Sequence, residues 1–319
     1  MMPNMSPSPR DVERWSTRYH APVLVSEVLH YLHAARRVLD GTLGGGGHTA
    51  ALASSGAIVT AFDRDPAALA AATERLAQFI SDGKVTVIDG NYADLENRDV
   101  LPGQHWDGIL LDLGVSSHQL DDESRGFSFR EGAVLDMRMS GGTGETAADV
   151  LNGWPVSDLA QVFRDYGDEP RGARIANEVE RRRGNRPFVT SDDLVGAIRA
   201  VLGPRSGPPD FARLFQAVRI AVNDELPGLA RALPALRDRL NAGGTIVVMS
   251  YHSGEDRLVK NAFREWSRAC VCPPIQPYCT CRGKPLGQLL TRKSVVAGAE
   301  EIAMNPRARS ARLRAWRAE

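Results

Sequence analysis

Two hydrophobic periods alternate along the first third of the chain. Between residues 22 and 33, Leu24, Val28, Leu29 and Leu32 recur at helical spacing and predict a helix with one apolar face. Arg37 to Asp40 is a short apolar run leading into glycines, and Ala57 to Phe62 is a second, ending at Asp63. Next, Asp65 is placed to cap a helix with Pro66 in its first turn, and Leu69, Ala72, Leu76, Phe79 and Ile80 continue it as one stripe. Lys84 to Ile88 and Trp106 to Asp112 are two further apolar runs. Strands separated by amphipathic helices predict a mostly parallel α/β sheet covered on both faces.

The pattern changes after about Ser116. Helical segments at 156–166, 172–183 and 191–202 are joined by stretches such as SGGTGET and GPRSGPPD, with no strong strand signal. A helical insertion at 116–210 is expected, within an α/β domain made of 19–115 and 211–319. The α/β pattern resumes with a helix from Arg213 to Leu240, interrupted near Pro227, then an apolar strand 245–251 and a helix 256–267. The remainder reads as a basic loop ending in NPRARSARLRAWRAE. The first 18 residues, polar and rich in Pro and Ser, read as a disordered tail. No run of apolar residues is long enough to span a bilayer, so no membrane partner and a cytoplasmic setting are expected.

Charge changes the picture by its distribution. The 39 basic and 39 acidic residues cancel, yet residues 257–319 hold thirteen Lys or Arg against four Glu, and 171–186 hold six Arg against two Glu. Basic segments of this kind can follow a phosphate backbone or serve as solvated helix faces. All four cysteines lie in CVCPPIQPYCTC, at Cys270, Cys272, Cys279 and Cys281. Two C-x-C pairs can surround a zinc ion, or stand as four reduced thiols in a surface loop; both readings are open.

The densest chemical signal is DGTLGGGGH, Asp40 to His48, running from the first strand into a helix. Asp63 ends the second strand, Asp89 and Tyr92 follow the third, and Asp112 ends the fourth. Ligands of such sheets bind beyond the carboxyl ends of the strands. A GxGxxG dinucleotide loop is excluded because the third position, counted from Gly44, is Thr49, and the loop has no lysine for a Walker motif. A ligand with ribose and adenine but no phosphate fits: Asp63 for the ribose hydroxyls, Tyr92 for adenine, and carboxylates for a sulfonium cation. S-adenosylmethionine is that ligand. Asp65 reads as a helix cap.

The motifs DGTLGGGGH, AFDRDPAAL, GILLDLGVSSHQLDDESRGFSFR, LDMRM, RLFQAVRIAVNDEL, SYHSGEDRLVK and NPRARSARLR occur in this order. Together they closely resemble the bacterial RsmH (MraW) family over about His20 to Arg314. The resemblance implies a class I S-adenosylmethionine-dependent methyltransferase, Rossmann-like, with an inserted helical substrate-recognition domain. Its implied substrate is the exocyclic N4 amine of a cytidine in the decoding region of 16S ribosomal RNA, with the small ribosomal subunit as partner. Cofactor contacts carried over are Gly45, Gly46, Gly47, His48, Asp63, Tyr92, Asp112 and Gln119. Tyr92 stands where Phe is frequent, His118 where Pro is, and Gly254 where Leu is; Gly254 is expected to loosen a helix start. Asp112 is a candidate to accept from the target amine or to hold the methionine ammonium, and His252 to contact the base or serve structurally. Phe127 and Phe129 are candidates to stack on RNA or to pack the insertion, with Arg125 and Arg130 on phosphates. Arg307, Arg309 and Arg312 in the tail are candidates for backbone contact. A DNA amine methyltransferase and a non-catalytic ribosome-assembly factor are the alternatives.

Overall fold

The computed structural model describes Trp15 and residues 22–95, 101, 103–273, 275–276 and 278–319. The proposed 1–18 tail therefore lies outside the described residues, Trp15 excepted. The chain divides into two compact units, residues 1–114 with 226–319, and residues 115–225.

The first unit is built on one seven-stranded sheet. Its elements in chain order are α1 (Val25–Leu32), β1 (Arg37–Asp40), α2 (Gly47–Ser54), β2 (Ile58–Asp63), α3 (Pro66–Arg75), α4 (Ala77–Ser81), β3 (Val85–Asp89) and β4 (Trp106–Asp112). With β5 at Leu240–Ser250, β6 at Gly287–Leu289 and β7 at Arg312–Ala318, the strand order is β3-β2-β1-β4-β5-β7-β6. The first five of these are parallel. Because the chain moves outward in one direction from β1 to β3 and in the other from β4 onward, β1 and β4 flank a topological switch point. Parallel strands buried on both faces need continuous apolar runs rather than alternation. β4 shows this, with Ile109, Leu110 and Leu111 fully buried.

The expected single helix over Leu69 to Ile80 is two helices that meet at Leu76. Leu76 is fully buried beneath Gly46 of the glycine loop. Asp65 caps α3 as expected, accepting from the Ala67 amide at 3.1 Å.

The second unit holds α5 (Ser117–Asp121), α6 (Ala147–Gly153), α7 (Val156–Gln161) with a π-helical turn at Val162–Tyr166, α8 (Gly172–Arg183), α9 (Ser191–Leu202) and α10 (Pro208–Asn223). The expected boundary at 210 is corrected here, because α10 belongs to this unit. Its Phe211, Leu214, Phe215, Ala217 and Val218 sit in the same core as Val150, Phe163, Ile175 and Leu194. Two polar ties reinforce it. The buried Asn223 accepts from the Met139 amide at 2.8 Å and donates to the Met137 carbonyl at 2.7 Å. Arg213 pairs at 2.7 Å with Glu169, which is almost fully buried. The helix break expected near Pro227 falls earlier, at Asp224, whose φ of 52° ends α10.

The first unit continues with α11 (Glu225–Asp238), β5 (Leu240–Ser250), α12 (Ser253–Trp266), β6 (Gly287–Leu289), α13 (Ala299–Met304) and β7 (Arg312–Ala318). The reading of the terminal stretch as a basic loop is overturned. β7 runs antiparallel between β5 and β6, pairing Met249 with Leu313 and Ile246 with Trp316. Trp316 is fully buried against Phe263 and Trp266. The R-L-R-A-W sequence has strand alternation, and its arginines are compatible with burial because Arg314 makes two bonds to Asp256, at 2.7 and 3.0 Å.

Candidate active site

The carboxyl ends of β1, β2, β3 and β4 each carry an aspartate: Asp40, Asp63, Asp89 and Asp112. Between β1 and α2 the backbone makes a glycine loop. Gly44 and Gly46 have φ of 50° and 73°, conformations that side chains disfavour. A Cβ on Gly47 would lie 2.8 Å from Pro22, and one on Gly41 would lie 2.4 Å from Leu111 and 3.0 Å from the Cβ of Tyr92. Close backbone approach, rather than a simple turn, is therefore what requires Gly41 and Gly47. Arg75 supports the loop by donating to the Gly45 carbonyl at 3.1 Å and to that of Trp15 at 2.6 Å.

Asp63 ties this loop to β2. Its carboxylate accepts from the Gly44 amide at 2.7 Å and from the Asp65 amide at 2.9 Å. Burial raises its pKa despite these two donors. Asp40 is fully buried, accepting from the Thr49 hydroxyl at 2.6 Å and the Thr42 amide at 3.1 Å, and burial raises its pKa as well. Thr42 also bridges the switch point, its hydroxyl oxygen accepting from the Asp112 amide at 2.6 Å.

Asp112 is the meeting point of three elements. One oxygen accepts from the Tyr251 hydroxyl at 2.9 Å, and the other lies 3.4 Å from Nε2 of His48. Burial first, and the Asp112 charge second, push the Tyr251 pKa well above its ordinary value, so the phenol stays protonated and donates. His48 is buried, and among the described residues neither ring nitrogen has a hydrogen-bond partner, Nε2 having the 3.4 Å contact with the Asp112 carboxylate. Buried polar atoms are almost always paired. Nitrogens without a hydrogen bond among the described residues, beside a carboxylate rim and an open-backbone loop, mark a place that a polar ligand completes. The residues present thus fit a cationic, phosphate-free nucleoside such as S-adenosylmethionine, with no lysine or arginine between Asp40 and His48 to oppose it.

Among the sequence candidates, Gly45, Gly46, Gly47, His48, Asp63 and Asp112 gather at this rim. Tyr92 opens the 3-10 turn after β3, against Gly41. Gln119 is buried in the second unit, where its side chain accepts from the Ser116 amide at 2.9 Å as half of a capping box for α5. His252 opens α12, with Nε2 3.2 Å from Glu255; the Glu255 carboxylate in turn accepts from the amides of Tyr251 and His252 at 2.8 and 3.3 Å. At Gly254, where a looser helix start was expected, a Cβ would crowd both His252 and Leu226 at 3.1 Å.

The RNA candidates fare differently. Phe127 is buried in the core of the second unit and so supports the fold, while Phe129, partly buried, packs edge-on against Phe211 and Phe215. Arg125 donates to the carbonyls of Arg138 and Met139. Arg130 is exposed and pairs with Glu123 at 2.6 Å. Arg307 and Arg309 lie exposed on a 3-10 turn, and Arg312 is exposed at the start of β7. Sequence reasoning missed Asp40, Arg75 and Tyr251 as site residues. Only Asp40, as the first residue of the glycine motif, carried a local signal.

The family model described as the MraW methylase family matches residues 17–319. A curated relative, ribosomal RNA small subunit methyltransferase H of Gemmatimonas aurantiaca, is 64% identical, the match covering 94% of this chain and 95% of that protein. The protein of the same name from Heliobacterium modesticaldum is 45% identical, covering 93% and 97%. Among solved structures, TrmN from Thermus thermophilus overlaps with a TM-score of 0.43 at 13% identity, covering 97% of this chain and 53% of that one.

Proposed function

The chain belongs to the MraW methylase family, and from that premise we propose that it methylates the exocyclic N4 amine of a cytidine in the decoding region of small-subunit ribosomal RNA. It is an S-adenosylmethionine-dependent methyltransferase of small-subunit ribosomal RNA. The choice of atom and nucleotide, the assembled small subunit as the physical substrate, and a cytoplasmic site of action are parts of the proposal. The observation that carries the reading is the rim itself: buried and half-buried carboxylates ending adjacent strands, a close-approach glycine loop, and a buried histidine whose nitrogens lack a hydrogen bond among the described residues.

S-adenosylmethionine supplies an electrophilic methyl group on a sulfonium cation. Asp63, already oriented by two backbone amides, has lone pairs left for ribose hydroxyls, and Tyr92 lies beside the glycine loop to line the adenine. The carboxylates of Asp40 and Asp112 favour the cation electrostatically. A cytosine amine is a weak nucleophile because its lone pair is delocalised into the ring. Holding it in line and accepting from its N–H groups are the contributions the chain can make. Asp112, fixed by Tyr251 and by the backbone bond to Thr42, would serve the second of these, with the carbonyls of residues 113–115 as further acceptors. The nitrogen gains one methyl and releases one proton. The target base must leave any stack to reach the rim.

The test is methylation of undermethylated small subunits with labelled donor, followed by mass mapping of the modified nucleotide. Label on one N4-methylcytidine is expected. Label on duplex DNA in preference to subunits, or none in any nucleic acid despite cofactor binding, would replace this reading with a DNA amine methyltransferase or an assembly factor.

A further inference from the structure

The loop between α12 and β6 combines order at its stems with an absence of core. Among the described residues between Trp266 and Gly287 none is buried, and Ile275 and Tyr278 are 92% and 80% exposed. Chain with nothing to bury is ordinarily held by covalent or metal staples. Its stems are pinned. Arg282 donates to Glu265 at 2.8 Å and to the Arg268 carbonyl at 3.0 Å, and the Leu286 amide donates to the Trp266 carbonyl at 2.8 Å. What the pinned stems enclose is a set of four free cysteines, Cys270, Cys272, Cys279 and Cys281.

The sulfurs of these four all lie within 4.8 Å of one another. Cys279 is 3.8 Å from Cys270, 4.0 Å from Cys272 and 3.5 Å from Cys281. A zinc ion with sulfurs at about 2.3 Å in a tetrahedron spaces those sulfurs about 3.8 Å apart. The observed separations centre on that edge and are far from bonded sulfur, which stands at about 2.05 Å. The C-x-C spacing has a backbone reason. In an extended segment residues i and i+2 face the same side, so each pair presents two thiols together. The Val271 amide points at the Cys281 sulfur at 3.3 Å, the kind of donor that supports a thiolate ligand.

We propose that Cys270, Cys272, Cys279 and Cys281 form a structural four-thiolate site for one zinc ion, which staples the coreless loop between α12 and β6. Closed coordination by four protein sulfurs leaves no position for water or substrate, so the ion would hold structure and take no part in methyl transfer. The inference stands apart from the proposed function, since it uses no residue of the methyl-transfer rim.

The experiment uses the full chain purified under reducing conditions without chelator. Elemental analysis should find about one zinc per chain. Titration of the native protein with an organomercurial should release that zinc as four thiols react. Cobalt in place of zinc should give the intense visible bands of a tetrahedral tetrathiolate. The Cys272→Ser/Cys279→Ser variant should lose the metal while keeping its far-ultraviolet dichroism. Less than half an equivalent of zinc in protein that is otherwise folded would overturn the site, and so would zinc retained in full by that variant or thiols that react without releasing metal. If the variant does not fold, the thiol-to-zinc ratio of the unaltered chain still decides.

Discussion

The rim at β1 and β4, rich in glycine and aspartate, and the 123–139 segment of the helical unit, rich in phenylalanine, arginine and acidic residues, both stand out in the sequence, yet the fold uses them in opposite ways. At the rim, polar groups are held but not exhausted. Asp112 and Asp63 each have fixed positions and spare lone pairs, and His48 is buried with neither nitrogen hydrogen-bonded among the described residues. In the helical unit the residues that stand out are consumed internally. Phe127 fills the core, Phe129 packs against it, and Arg125 closes the 138–139 turn through its carbonyls. A motif of chemically rich residues therefore separates into site and scaffold by what remains unsatisfied after folding.

Substitutions can break or sharpen that contrast. The largest effect is expected at Phe127→Ala, which should cost about 3–5 kcal/mol of stability in denaturant unfolding as a core truncation. A variant of unchanged stability that binds RNA less well would return Phe127 to the substrate surface. Next, Asp63→Ala should weaken S-adenosylhomocysteine binding by about 100-fold in calorimetry, equivalent to about 2.7 kcal/mol. Its neighbour Asp65→Ala should lose only a helix cap, about 1 kcal/mol of stability, and leave affinity nearly unchanged; equal affinities for wild type and Asp63→Ala would remove Asp63 from the site. Tyr251→Phe is expected to lower kcat about tenfold, about 1.4 kcal/mol, with little change in the KM for the methyl donor, because it releases the acceptor rather than the cofactor. A proportional rise in that KM would instead assign Asp112 to the methionine ammonium. The smallest effect is expected at the exposed Arg130–Glu123 pair, where Arg130→Ala should change stability by less than about 0.5 kcal/mol.

Acidity separates the two regions as well. Burial raises the pKa of Asp40 and Asp63, so the folded chain holds protons that the unfolded chain has released above 3.8. Their contribution to stability is present below that value and is lost as pH rises through the raised values. Over the same window their charge develops, so affinity for a cationic cofactor should rise while the free protein becomes less stable. Melting curves and calorimetry across mildly acidic to neutral pH check both directions; parallel changes would show that these carboxylates do not control the rim.

The legible part of this fold was what local pattern encodes. The β4 boundaries, the Asp65 cap and the glycine loop all follow from residues within a few positions of one another. What stayed hidden depends on partners far along the chain. Tyr251 meets Asp112 across 139 positions, and Asn223 reaches Met137 across 86. β7 was obscured for a different reason: its arginines suggested solvent, and only Asp256 on α12 makes Arg314 tolerable in a sheet. Truncation beyond Asn305, which on a loop would test RNA contact alone, would here remove the strand that carries Trp316.

β4 and β5 are hydrogen-bonded neighbours, with Gly108 beside Thr245, although the whole helical unit is synthesised between them. A growing chain can assemble β1, β2 and β3 from nearby segments, but the central seam must wait until β5 has been translated. Pairings of such long sequence separation are slow and leave strand edges exposed meanwhile. Since Tyr251 directly follows β5, the bond that fixes Asp112 is closed to any nascent chain that stops short of β5, while β6 and β7 join the edge of the sheet later still.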